Sequence, residues 1–155
     1  MKFYPVLLVT FLMVLMSHAF AAPVFHDTHG NTVQLSALKG KWVVVNYWAS
    51  WCDVCLSETQ ELNQFYEHYR HKNIALYGVN SDHLPLPTLK QILYRMNLLI
   101  PDLVEDPGSA WGLDDVSVLP TTFIIGPEGT VLKKIEGPNT EKSLLDVLGA
   151  LGYQS

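Results

Sequence analysis

Between Gly40 and Ser50 the chain reads Trp42 to Trp48 as WVVVNYW, an apolar run broken only by Asn46. A short β-branched run between turn residues predicts a strand buried on both faces, and hence a central one. From Asp53 to about His71 the period changes: Cys55, Leu62, Phe65, Tyr66 and Tyr69 recur at helical spacing. A helix is therefore predicted to begin at the cysteines. Residues 73–80, NIALYGVN, predict a second strand with Gly78 near its end. Pro85 and Pro87 suit the first turn of a helix whose apolar stripe is Leu89, Ile92, Leu93 and Met96. Strand, helix, strand, helix in that order predicts parallel strands with crossover helices.

After the turn EDPGS at 105–109, the runs TTFIIG (121–126) and TVLKKIEG (130–137) flank Pro127-Glu128-Gly129. So short a turn requires the two strands to be antiparallel. Thr140 to Leu151 predicts a last amphipathic helix, and Val24 to Leu35, alternating about His29-Gly30-Asn31, predicts a hairpin. The sum is an α/β fold, β-α-β followed by β-β-α, with an N-terminal hairpin extension. With 155 residues, 48% of them hydrophobic, and no repeat or linker, one domain is expected.

The first residues change the picture of where the protein works. Lys2 precedes an apolar run from Phe3 to Met16 and the small residues around Ala19-Phe20-Ala21. That pattern predicts a secretory signal peptide over residues 1–21, with the domain at 22–155. The run also approaches the length of a short membrane anchor, which is the alternative if it is not cleaved. The formal charge of −5, without a Lys/Arg cluster, argues against nucleic acid as a partner.

Cys52 and Cys55 are the only cysteines. Export would place them where disulfides persist, yet a two-residue gap gains little as a brace because loop-closure entropy grows with loop length. At the start of a helix, unpaired amides and the helix dipole stabilise a thiolate, which makes Cys52 the candidate nucleophile. Cys55, one turn on, is placed to resolve a mixed disulfide. The competing reading is a metal site, since Cys52, Cys55, His68 and His71 spell C-x2-C-x12-H-x2-H. A continuous helix would separate Cys55 from His68 by about 20 Å, at about 1.5 Å per residue, which argues against it. No metal is expected, and His26, His29 and His83 read as surface residues.

The run VVVNYWASWCDVC, followed by Glu58, resembles the exported thioredoxin-like proteins of the TlpA, ResA and DsbE (CcmG) group. Residues 116–137, VSVLPTTFIIGPEGTVLKKIEG, resemble their second signature, in which a proline lies opposite the cysteines. The resemblance implies a thioredoxin fold, a mixed sheet flanked by helices, over about residues 24–150. It implies that Pro120 follows a cis peptide bond and that Leu119 presents its backbone to an incoming substrate strand. An edge-strand proline is the plainer reading of Pro120. Glu58 matches a glutamate of the ResA-like proteins and shares a helix face with Cys55 and Leu62. There it either exchanges protons with the cysteines or merely complements the helix dipole.

The chain also departs from the pattern. Thioredoxin's buried Asp is here Asn46, and the usual proline before the second cysteine is Val54. A frequent glycine before the cis-proline is Val118, and a proline after the glutamate is Gln60. Asp53 suits a helix N-terminus but opposes a thiolate at Cys52. Trp48 and Trp51 are expected to be part core and part rim of a docking surface, and Trp111 to be packing.

The function expected is thiol-disulfide exchange with exported proteins, with the protein acting as a reductant. An oxidant, or a redox-inert binding or chaperone module, is the alternative. No cofactor is expected beyond the Cys52-Cys55 pair. The resemblance implies protein disulfide substrates, apocytochrome c among them, and a membrane thiol donor of the DsbD kind. A monomer is expected.

Overall fold

The computed structural model describes residues 22–154, so the signal-peptide prediction for residues 1–21 lies outside it. The expected hairpin is present but short: β1 (Phe25–His26) pairs antiparallel with β2 (Thr32–Val33). Asp27 organises its turn, accepting from the backbone N–H of His29 at 2.9 Å and of Asn31 at 2.8 Å.

The main sheet has five strands. β3 (Trp42–Trp48) is central and buried throughout, as its unbroken apolar run requires. It pairs parallel with β4 (Ile74–Asn80), and β4 pairs parallel with β5 (Asp102–Leu103). On its other side β3 pairs antiparallel with β6 (Thr121–Ile125), which pairs antiparallel with β7 (Val131–Glu136). The order is β5-β4-β3-β6-β7. β5 is the one strand that the sequence pattern does not announce, being two residues long and carrying a carboxylate.

Among the described residues three α-helices pack on the sheet: α1 (Asp53–Tyr69) and α2 (Leu86–Met96), which connect strands, and α3 (Glu141–Ala150), which follows the last one. Val44 and Trp42, on the face of β3 shared with Asn46 and Trp48, pack with Leu62 and Phe65 of α1 and Leu144 and Leu148 of α3. Trp48 continues that face into a cluster with Cys52, Cys55 and Leu89 and Leu93 of α2. On the opposite face Val43, Val45 and Tyr47 pack against Phe25, Val33 and Trp111. Trp111 is core, as expected, edge-on to Phe25. Among the described residues no helix is long and apolar enough to cross a membrane.

Candidate active site

Four residues, 49–52, turn the chain from β3 into α1. Cys52 is the N-cap, with extended backbone, and its sulfur accepts the backbone N–H of Cys55 at 3.2 Å. The sulfur thus sits where free amide donors and the positive end of the helix dipole favour an anion. Cys52 and Cys55 form a disulfide with their Cα atoms 5.2 Å apart. Cys52 keeps 7% exposure and Cys55 3%, so Cys52 is the more accessible member of a largely enclosed pair.

An apolar rim surrounds the pair. Trp51, beside Cys52, is 71% exposed, and Val54 and Val118 are exposed as well. The Leu119–Pro120 peptide bond is cis. Leu119 is half-buried and packs against the cluster that holds both cysteines, whereas Pro120 is buried and its carbonyl accepts from the Gly137 N–H at 2.9 Å. Ahead of Cys52, the Ser50 N–H donates to Asp82 Oδ2 at 2.8 Å, which fixes the loop. Asp53 is exposed in the first turn of α1.

Glu58 lies inside, one turn beyond Cys55 on the same face of α1. Its Oε2 accepts from the Asn46 side-chain amide at 3.1 Å and its Oε1 from the Asn139 backbone N–H at 2.6 Å. Both asparagine amides also donate to Thr122 Oγ1, at 3.0 and 3.1 Å. Desolvation pushes the Glu58 carboxyl above its ordinary value, and the bonds from Asn139 and Asn46 only partly offset it. Asn46, standing where thioredoxin carries a carboxylate, thereby anchors one.

The structure brings Cys52, Cys55, Trp51, Leu119 and Pro120 to one end of the sheet, with Glu58 directly beneath. It corrects the expectation for Trp48. That side chain is 2% exposed and wholly core, because its register on β3 points it at the helices, and its Nε1 donates to Asp102 Oδ1 at 2.9 Å. Only Trp51 belongs to the rim. His68 lies in the last turn of an unbroken α1, far from the cysteines at its start, and its Nδ1 is 2.7 Å from Glu141 Oε1. His26, His29 and His83 are exposed. Thr122 and Asn139, around Glu58, and Asp102, against Trp48, were not expected; they arrive from distant segments, and nothing in their local sequence marks them.

The chain matches the AhpC/TSA family over residues 16–134. It is 31% identical over 128 residues to the thiol-disulfide oxidoreductase ResA of Bacillus subtilis (strain 168), a match covering 83% of this chain and 71% of that one. Among solved structures, a thiol:disulfide interchange protein of the thioredoxin family from Chlorobium tepidum TLS is similar with TM-score 0.69 and 25% identity, covering 83% of this chain and 93% of that one. The pneumococcal lipoprotein thioredoxin Etrx1 from Streptococcus pneumoniae strain TIGR4 shares the fold, with TM-score 0.71 and 24% identity, covering 84% of this chain and 99% of that one. A Cys-X-X-Cys disulfide capping a helix beside a cis-proline, on this sheet order and with these relatives, places the chain in the AhpC/TSA family, among the ResA-like thioredoxin-fold thiol-disulfide oxidoreductases.

Proposed function

We propose that the protein is exported and reduces disulfides in other exported proteins, with Cys52 as the attacking thiol. The observation that carries this reading is the position of Cys52, a helix N-cap whose sulfur takes an amide hydrogen bond and is the more accessible of the pair. In the dithiol form the Cys52 thiolate attacks one client sulfur, and the other client sulfur leaves as a thiolate and takes up a proton. Cys55 then loses its proton and attacks Cys52. The Cys52–Cys55 disulfide forms, the client leaves with two thiols, and two electrons have passed. Glu58, a raised carboxyl beneath Cys55, exchanges the proton. Leu119 presents its backbone to the client strand beside Cys52, next to Pro120, and Trp51 supplies apolar contact area beside it.

No metal or organic cofactor takes part in this scheme. Residues 1–21 act as the signal peptide of a domain at 22–155 that works as a monomer. The clients are disulfides of exported proteins, apocytochrome c among them, and the electron donor is a membrane dithiol of the DsbD kind. The reductant direction draws support from Asp53, whose charge next to Cys52 raises the cost of the thiolate and so disfavours the stabilised dithiol of a strong oxidant. A glutathione redox titration of the mature domain, with trapping of its thiols in cells, tests the assignment. A mainly reduced pool is expected. A potential near about −120 mV with a mainly oxidised pool would make it an oxidant instead.

A further inference from the structure

A second buried carboxyl lies on the same rung of the sheet as the Glu58 cluster. The strand registers align Thr122, Asn46, Gly78 and Asp102 across β6, β3, β4 and β5. Asn46 carries Glu58 on one side. On the other, Gly78 has no side chain, and Asp102 fills the space: a Cβ at position 78 would fall on the Asp102 carboxyl and within 3.4 Å of Trp48 Nε1. Asp102 is 0% exposed. Its Oδ1 accepts the Trp48 indole N–H at 2.9 Å, and its Oδ2 has no hydrogen-bond partner. Adjacent strands are roughly 5 Å apart, so a carboxyl lying over Gly78 is one strand from the amide that binds Glu58.

We propose that Asp102 is a positioning residue and second buried acid of the dithiol centre, seated in the space that Gly78 leaves and acting on Cys52 and Cys55 through Trp48. This inference rests on the dithiol reading above. Trp48 shares one buried cluster with Cys52 and Cys55, so the indole that Asp102 holds is part of the wall enclosing the pair. A buried carboxylate with one oxygen unpartnered is costly, and the neutral acid is less so. Burial pushes the Asp102 carboxyl up to about 7, against the pull of the Trp48 indole and the Asn80 backbone N–H.

The titratable groups on the packed elements are otherwise engaged. Asp27 of the hairpin is taken by His29 and Asn31, and Asp82, beyond β4, by Ser50 and Asn80. Glu58 of α1 binds Asn46 and Asn139, and the Tyr77 hydroxyl on β4 is pushed up to about 12 by burial. None of these hydrogen-bonds the Asp102 carboxyl, and no basic side chain pairs with it among the described residues. Asp102 is thus neutral in mild acid and becomes a buried negative charge above neutrality, where it opposes a thiolate at the pair.

The test compares the parent, Asp102→Asn and Asp102→Leu in glutathione redox equilibrium at pH 5.5 and pH 8, while NMR follows the Trp48 indole resonance. Asp102→Asn keeps an acceptor for the indole but cannot ionise. It is expected to match the parent at pH 5.5 and to favour the dithiol about threefold more at pH 8, or about 14 mV at about 30 mV per decade. The Trp48 resonance should titrate in the parent and not in this variant. Asp102→Leu should displace that resonance and the equilibrium at both pH values. Superimposable equilibria for parent and Asp102→Asn, or a Trp48 resonance indifferent to pH in the parent, overturn the proposal alone. A parent without any reversible glutathione equilibrium overturns it together with the dithiol reading.

Discussion

Asn46 donates its side-chain amide to Glu58 across 3.1 Å, joining the strand before the cysteines to the helix that begins with them. The bond holds a carboxyl indoors without neutralising it, because an amide brings a dipole and no charge. With desolvation raising the Glu58 carboxyl, ionisation at Glu58 and at the cysteines competes for the same interior.

Glu58→Gln should therefore lower the midpoint of the thiol titration by about half a unit or more, since it removes a negative charge that opposes the thiolate. Iodoacetamide alkylation rates of the reduced protein from pH 5 to 9 provide the curve. Superimposable curves would leave Glu58 a buried anchor for Asn46 and Asn139 with no part in the thiol chemistry.

Cys52→Ser should reduce insulin-disulfide reduction to background, and Cys55→Ser should accumulate a mixed disulfide at Cys52. Mass spectrometry of the trapped species decides the roles. Faster alkylation of Cys55 than of Cys52 in the reduced parent would reverse them.

Trp51, at 71% exposure, has little packing to lose. Trp51→Ala should change unfolding free energy by about 0.5 kcal/mol or less, yet slow exchange with a protein disulfide roughly tenfold. Reaction with dithiothreitol, which needs no docking area, should stay within about twofold. Equal slowing with both substrates would remove Trp51 from the docking surface.

Gly78→Ala places a methyl group on the Asp102 carboxyl and should cost about 1–3 kcal/mol. In an Asp102→Ala background the same change should cost at least about 1 kcal/mol less, as measured by urea unfolding in a double-mutant cycle. Additive costs would place the collision elsewhere.

Stability should also depend on pH through Asp102. Its folded value is raised above the unfolded one, to about 7, so between about pH 4 and pH 7 the folded state holds the extra proton. The stability that this proton confers is present at the acid end and is lost as pH rises through 7. Parent unfolding free energy should thus fall from pH 5 to pH 8 by about 1 kcal/mol or more, with a flatter profile in Asp102→Asn. Parallel profiles would mean that Asp102 is not the group responsible.

Much of this was legible from periodicity. The run at 42–48, the helical stripe from Cys55 to Tyr69 and the short turn at 127–129 each determine an element locally, and the observed bounds differ by a residue or two at the ends. The hairpin was legible from its turn residues. What stayed hidden depends on register. Two residues of β5 have no period to display, and Gly78 reads as a weak strand residue until Asp102 is seen lying over it. Asn139 meets Glu58 across 81 positions of sequence, through a backbone N–H that every non-proline residue possesses. Trp48 was misjudged for the same reason: beside the cysteines in sequence, it is turned inward by one step of strand alternation.

With Asp102 acting on the dithiol as proposed, the hairpin that holds Asp102 shares in that chemistry despite its distance from the cysteines. Thr28 gives its N–H to the Asp102 carbonyl at 2.8 Å and takes the Asp102 N–H on its hydroxyl at 3.2 Å, while Val104 donates to His26. These bonds pair the outer edge of β5, the strand that carries the carboxyl lying over Gly78. Loosening that pairing would let the Asp102 carboxyl relax toward its ordinary acidity, and the dithiol would then face a permanent charge at neutral pH. Cleavage near His29, far from either sulfur, would therefore alter the centre's response to pH while leaving its cysteines chemically intact.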